Sequence, residues 1–122
     1  MNNFEKNILV VDDSKVARLH MCAILNDKGY ITRQAENGIV ALKKIEEEKP
    51  DMILLDLLMP EMDGIGLLRK LNTMKLSIPA IVISADIQDD VKKECFELGA
   101  TAFLNKPFKI QEIIDIVAKN IK

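Results

Sequence analysis

The sequence predicts an α/β fold: a doubly wound parallel sheet of five strands in the order 2-1-3-4-5, flanked by five helices. Two observations carry this. Short apolar or β-branched runs alternate with helix-spaced amphipathic stretches five times along the 122 residues, the signature of parallel strands joined by crossover helices. Two of the runs, Asn7 to Val11 and Met52 to Leu55, are apolar almost throughout, as strands buried on both faces are. Right-handed crossovers leave few strand orders for such a sheet, and 2-1-3-4-5 is a common one. A closed eight-stranded α/β barrel needs about twice this length.

Each element follows from its own residues. The first strand, Asn7 to Val11, ends in Asp12-Asp13-Ser14. Ala17, Met21, Ile24 and Leu25 then recur at helical spacing, with Asp13 or Ser14 as N-cap and Gly29 as the stop. Tyr30 to Ala35 is a weaker, more polar strand that suits a sheet edge. Glu36-Asn37-Gly38 turns the chain into a second helix marked by Ala41, Leu42 and Ile45 and closed by Lys49-Pro50. The third strand delivers Asp56, and Pro60, with no N–H for the ladder, cannot extend it. Beyond Asp63 and Gly64, Ile65, Leu68 and Leu71 share one side of a third helix. Ile78 to Ser84 is the fourth strand, and Asp86 is the expected cap of a fourth helix bearing Val91, Cys95 and Leu98. Thr101 to Asn105 is the fifth strand, stopped by Lys106-Pro107. Ile110, Ile113, Ile114, Val117 and Ile121 form an i, i+3, i+4, i+7 stripe on the last helix.

The totals exclude several classes. At 48% hydrophobic and 30% charged, residues 1–122 read as one globular domain with a real core. Lys+Arg 17 against Asp+Glu 19 leaves a net charge of −2, which offers no basic field for nucleic acid. No apolar run reaches the roughly 18 residues of a membrane span. Met1 to Lys6 lacks the basic-then-apolar layout of a signal peptide, so the expected compartment is the cytoplasm. Cys22 and Cys95 have no metal spacing and read as idle thiols of a reducing compartment. No glycine-rich phosphate loop is present, which argues against a bound nucleotide cofactor.

The chemistry gathers at one edge. In a parallel sheet the C-terminal strand ends lie together, and ligands collect where the strand order reverses. The first strand brings Asp12 and Asp13 there, the third Asp56, the fourth Ser84 and the fifth Lys106. Three acids so close repel: at roughly 5 Å and an effective dielectric near 20, each pair costs about 3 kcal/mol. A divalent cation or a lysine relieves that. Oxygen-only donors with open positions select a hard ion, Mg²⁺ or Mn²⁺ in its place. Lys106 and the Ser84 hydroxyl are donors suited to phosphoryl oxygens. The set is suited to phosphoryl transfer, in which positioning and charge neutralisation dominate.

With these residues in hand the chain resembles the receiver domains of two-component response regulators (the single-domain, CheY-like type of flavodoxin-like fold) over essentially its whole length. The matching pieces are Val10-Val11-Asp12-Asp13-Ser14, Asp56-Leu57-Leu58-Met59-Pro60 with Met62-Asp63-Gly64, Ser84-Ala85 and Lys106-Pro107-Phe108. Each is weak alone; together, in order and at strand ends, they are specific. The resemblance implies that Asp56 is the phosphoacceptor, attacking the phosphohistidine of a sensor histidine kinase or phosphotransfer protein. It implies Asp13 and Asp56 as side-chain Mg²⁺ ligands, Asp12 as holder of a metal-bound water, and the Leu58 backbone carbonyl as a further ligand. Lys106 and Ser84 would take phosphoryl oxygens, and Lys106-Pro107 would be a cis peptide. Phe103 would be the aromatic switch, and the fourth helix, fifth strand and fifth helix the face offered to a downstream protein, as a monomer or a phosphorylation-dependent dimer. Neither a membrane nor direct nucleic-acid contact is expected.

Bland readings stand beside these. Asp12 and Asp13 also suit a helix cap, and Phe103 also suits a core position. His20, the one histidine, reads as a surface or half-buried residue. Val16 and Leu19 add apolar surface near the site, which helix propensity explains as well as kinase docking does. There are three functional rivals. A flavodoxin-like cofactor binder needs a phosphate-cradling loop after the first strand, where this chain offers Asp12-Asp13. A phosphatase of haloacid dehalogenase type wants an Asp-x-Asp pair on the first strand, whereas Asp56 is followed by Leu57 and Leu58. The chain could also be the receiver half of a larger DNA-binding regulator.

Overall fold

A computed structural model describes residues 6–57, 64–85 and 88–121. The elements run β1 (Asn7–Val11), α1 (Lys15–Asp27), β2 (Ile31–Ala35), α2 (Gly38–Glu47), β3 (Met52–Leu55), α3 (Gly64–Thr73), β4 (Ala80–Ser84), α4 (Asp89–Glu97), β5 (Ala102–Asn105) and α5 (Ile110–Asn120). The strands pair in parallel in the order β2-β1-β3-β4-β5, as the alternation of runs predicts. The polar strand β2 takes one edge, where solvent reaches its side chains. Among the described residues no helix is long and apolar enough to cross a membrane.

Side chains alternate across each strand, so the continuous apolar runs feed two cores. Leu9, Val11, Ile53, Leu55 and Val82 pack against Ala41 and Ile45 of α2 and Leu67, Leu68 and Leu71 of α3. Ile8, Val10, Leu54 and Ile81 pack on the opposite face against Met21 and Leu25 of α1 and Ile113 and Val117 of α5. The central strands β1, β3 and β4 are buried at every position, which holds their C-terminal ends in register.

Helix ends follow local chemistry. Ser14, not Asp13, caps α1: its Oγ accepts the Ala17 N–H at 3.2 Å. The helix closes with a Schellman motif, Tyr30 N–H bonding the Leu25 carbonyl and Gly29 N–H the Asn26 carbonyl. Gly29 adopts φ 90°, the left-handed conformation that this motif places on glycine. Gln88 occupies the N-cap of α4 without a side-chain capping bond, and the expected cap, Asp86, lies outside the described residues. Asp89 and Asp90 in the first turn supply negative charge to that helix end.

One close approach shapes the region behind Asp56. Gly64 opens α3 against the end of β3, and its N–H bonds the Leu57 carbonyl at 3.0 Å. A Cβ at Gly64 would stand 2.5 Å from the Asp56 carbonyl oxygen and 2.7 Å from the Leu57 Cα. Both neighbours are backbone, so neither yields cheaply. Gly64→Ala is therefore expected to lower stability by about 2 kcal/mol, read as a lower urea midpoint; an unchanged midpoint would show that α3 shifts freely from the strand end.

Candidate functional site

Ladder bonds continue one residue past three strand ends and place the candidate side chains. The Asp12 N–H bonds the Ala35 carbonyl of β2 at 3.1 Å, the Asp56 N–H the Val11 carbonyl of β1 at 3.0 Å, and the Lys106 N–H the Ser84 carbonyl of β4 at 2.9 Å. Each residue thus leaves the sheet from a fixed peptide, at the edge where strand order reverses between β1 and β3. Lys106 spans the gap. Its Nζ lies 2.8 Å from Asp56 Oδ2 and 3.7 Å from Asp12 Oδ2. The side chains of Asp12, Asp56 and Lys106 are 12%, 14% and 31% exposed, so solvent screens this triad only in part.

Beneath them a mostly apolar cavity of about 110 Å³ opens between α1 and the loop after β5, with Ala17, Met21, Leu54, Ile83 and Phe108 in its walls. The charged heads stand at its mouth. Burial accordingly pushes the Asp12 carboxyl above its ordinary value; the Ser14 N–H and the Lys106 ammonium oppose the rise, and Asp56 and Asp13 add to it. For Lys106, burial acts to lower the pKa, but the hydrogen bond and charge of Asp56, with the charge of Asp12, outweigh it and hold the ammonium above its usual range. The lysine therefore stays charged throughout the neutral range.

Ser84 is wholly buried at the end of β4. Strand alternation puts it on the same face as Val82, and Phe103, in register with Val82, packs on that face too. Lys92 of α4 covers the Phe103 ring at 5.2 Å from its centroid. The structure thus brings Ser84, Phe103 and α4 together behind the site. The Lys106–Pro107 peptide is cis. His20 is exposed on α1 and stacks on Phe108, ring centroids 6.4 Å apart and planes at 15°. Val16 and Leu19 are exposed on the same helix, 78% and 48%. Cys22 and Cys95 are buried, one in each core.

Asp13 is exposed beside Asp12 and close enough to affect its carboxyl. Leu58, the expected carbonyl donor, lies outside the described residues, as do Pro60 and Asp63. Among the described residues the acids do not close into a ready-made cage of three or more metal ligands; Lys106 supplies the positive charge between Asp12 and Asp56. The donor set still fits a hard cation. Among the described residues it consists of carboxylate oxygens at a partly open rim, which suit a hard ion.

Sequence reasoning missed Arg18. Its Nη1 donates to the Asp12 carbonyl at 2.7 Å and its Nε to Gln34 Oε1 at 3.1 Å. The signal was present: Arg18 stands three, four and seven residues before Met21, Cys22 and Leu25, in the register of the buried stripe.

Fold and strand-end set together define the class. Residues 8–118 match the response regulator receiver domain, and the chain belongs to that family. It is 40% identical over 114 residues to sporulation initiation phosphotransferase F of Bacillus subtilis, covering 93% of this chain and 92% of the relative. It is 34% identical over 116 residues to chemotaxis protein CheY of Listeria monocytogenes, covering 94% and 98%. To the alkaline phosphatase synthesis transcriptional regulatory protein PhoP of Bacillus subtilis it is 39% identical over 108 residues, 88% of this chain but 45% of that longer protein. Among solved structures, chemotaxis protein CheY4 of Vibrio cholerae matches with a TM-score of 0.89 at 28% identity, covering 95% of this chain and 98% of that one. A Francisella response regulator receiver domain matches with a TM-score of 0.89 at 33% identity, covering 94% and 95%.

The raised Asp12 carboxyl has a consequence for stability. A group whose folded pKa exceeds its unfolded value favours folding when protonated and loses that contribution as pH rises from the unfolded value of 3.8 through the folded one. At pH 7 the charged Asp12 is thus a net burden on the fold. Asp12→Asn, which keeps an oxygen for the Ser14 N–H, is expected to raise the urea midpoint at pH 7, with the advantage shrinking as pH falls toward 4. A midpoint lowered at pH 7 would show that attraction to Lys106 outweighs burial.

Proposed function

We propose that the chain is a phosphorylation-driven switch: Asp56 accepts a phosphoryl group from the phosphohistidine of a sensor kinase or phosphotransfer protein, in a Mg²⁺-dependent step. The observation that carries the reading is the Lys106 ammonium held 2.8 Å from Asp56 Oδ2 and 3.7 Å from Asp12 Oδ2. This lysine balances acids now and can turn to phosphoryl oxygens once they arrive.

In the transfer, an Asp56 carboxylate oxygen attacks phosphorus. The new P–O bond forms as the P–N bond breaks, and the imidazole leaves with the electron pair. Bound Mg²⁺ would neutralise charge developing on the phosphoryl oxygens, held by Asp13 and Asp56, the Leu58 carbonyl and a water on Asp12. Lys106 stabilises a phosphoryl oxygen through a charge-assisted hydrogen bond. Hydrolysis reverses the state: water attacks phosphorus, the acyl P–O bond breaks, and the carboxylate and inorganic phosphate are restored. The chain catalyses these steps on itself and turns over no separate substrate.

The output follows from what must compensate the added charge. Ser84 moves its hydroxyl onto a phosphoryl oxygen, and Phe103, packed on the same face, repacks against the space left. Lys92 on the Phe103 ring extends the change to α4, so that α4, β5 and α5 form the face read by a downstream protein, alone or in a phosphorylation-dependent dimer. The kinase side meets the opposite flank, where Val16, Leu19 and the His20–Phe108 stack border the site with apolar surface. The setting is the cytoplasm, where kinase, metal and reduced thiols coexist.

The test uses acetyl phosphate as donor with Mg²⁺. Wild type is expected to be labelled and Asp56→Asn to be inert; intact labelling of that variant would sink the assignment. Lys106→Ala is expected to retain Mg²⁺ binding but to show no amide shifts on α5 after donor addition, and normal α5 shifts would remove the coupling role of the lysine.

A further inference from the structure

The Asp12-Asp13-Ser14 turn is gripped from a side that the phosphoryl chemistry does not use. Arg18 reaches back from the second turn of α1, its Nη1 2.7 Å from the Asp12 carbonyl oxygen and its Nε 3.1 Å from Gln34 Oε1 on β2. Asp12 is held elsewhere too: its N–H bonds the Ala35 carbonyl, its Oδ1 accepts the Ser14 N–H at 2.9 Å, and its Oδ2 faces Lys106. With Arg18 in place, the N–H, the carbonyl and both carboxylate oxygens of Asp12 all have partners.

Gripping a carbonyl fixes a whole peptide plane, because the bond to the next nitrogen does not rotate freely. That plane sets the direction in which Asp13 departs. Asp13 is itself exposed, so its backbone is what places it. Both Arg18 bonds go to neutral acceptors on two different strand ends, which requires the spread of a planar fork; a lysine ammonium is a single point and cannot reproduce it. We propose that Arg18 is a positioning residue for the metal-binding acids: it sets the Asp12–Asp13 peptide and thereby the approach of both carboxylates to Mg²⁺. This rests on the Mg²⁺-dependent reading of the site.

The test is isothermal titration of the whole chain with MgCl₂, alongside urea midpoints measured without metal. Arg18→Met keeps the apolar stem, and Arg18→Lys keeps stem and charge. Arg33→Met is the comparator, since Arg33 bonds the Lys44 and Glu48 carbonyls at the far end of the sheet. Both Arg18 variants are expected to bind Mg²⁺ about tenfold more weakly, in line with other partners that orient metal ligands. Arg33→Met is expected to lose stability with unchanged Mg²⁺ affinity. Should Arg18→Met fail to fold, Arg18→Lys decides. The proposal is overturned if the folded Arg18 variants bind Mg²⁺ as wild type does, or if Arg33→Met weakens binding equally, since general loosening would then explain the loss. A wild type that takes up no Mg²⁺ removes the metal reading and the clamp together; wild-type binding with unaffected Arg18 variants removes the clamp alone.

Discussion

The Lys106 ammonium stands between two acids at the C-terminal edge of the sheet. Lys106 meets Asp56 at 2.8 Å and stands 3.7 Å from Asp12, at the mouth of an apolar cavity. Two carboxylates in that setting repel each other and lose hydration. The cluster persists because the charge between them is fixed by the fold: the Lys106 backbone is tied to β4, and β4 is buried at every position. For Asp12 burial opposes ionisation and attraction to Lys106 offsets it only in part, whereas for Lys106 attraction to Asp56 and Asp12 outweighs burial.

The rest of the chain can be seen as what this balance requires. Side-chain alternation on β1, β3 and β4 feeds two separate cores, so none of the three strand ends can slip without exposing a face. Gly64 lets α3 begin against the Asp56 peptide, where any side chain would meet backbone. Ser84, Phe103 and Lys92 lead away from the site toward α4, while His20 and Phe108 border it on the α1 side. Packed side chains thus run from the site toward both α4 and α1.

Much of this is legible in the sequence because strand ends are. Apolar runs that stop at Asp12, Asp56, Ser84 and Lys106 place those residues on one edge as soon as the sheet is known to be parallel. The polar character of Tyr30 to Ala35 likewise marks an edge strand, and β2 is one. What stays hidden is set by contacts across long separations. The N-cap of α4 falls on Gln88, with Asp89 and Asp90 in the first turn, a start that spacing alone does not mark. Whether Lys106 or a cation neutralises the acids is a matter of ångströms that spacing does not encode. Arg18 is an intermediate case. Its register with Met21, Cys22 and Leu25 marks it as inward-facing, but only the fold reveals that it meets the Asp12 carbonyl.

On the proposed mechanism the compensated acid at the end of β3 is the group that becomes phosphorylated. Borohydride reduction after exposure to acetyl phosphate tests it most directly, since hydride converts an aspartyl phosphate, but not a free carboxylate, to homoserine. Peptide mass mapping should then find the conversion at Asp56 alone, and only when Mg²⁺ accompanies the donor. Conversion at Asp12 or Asp13, or equal conversion at Asp56 with the metal chelated, would contradict the account.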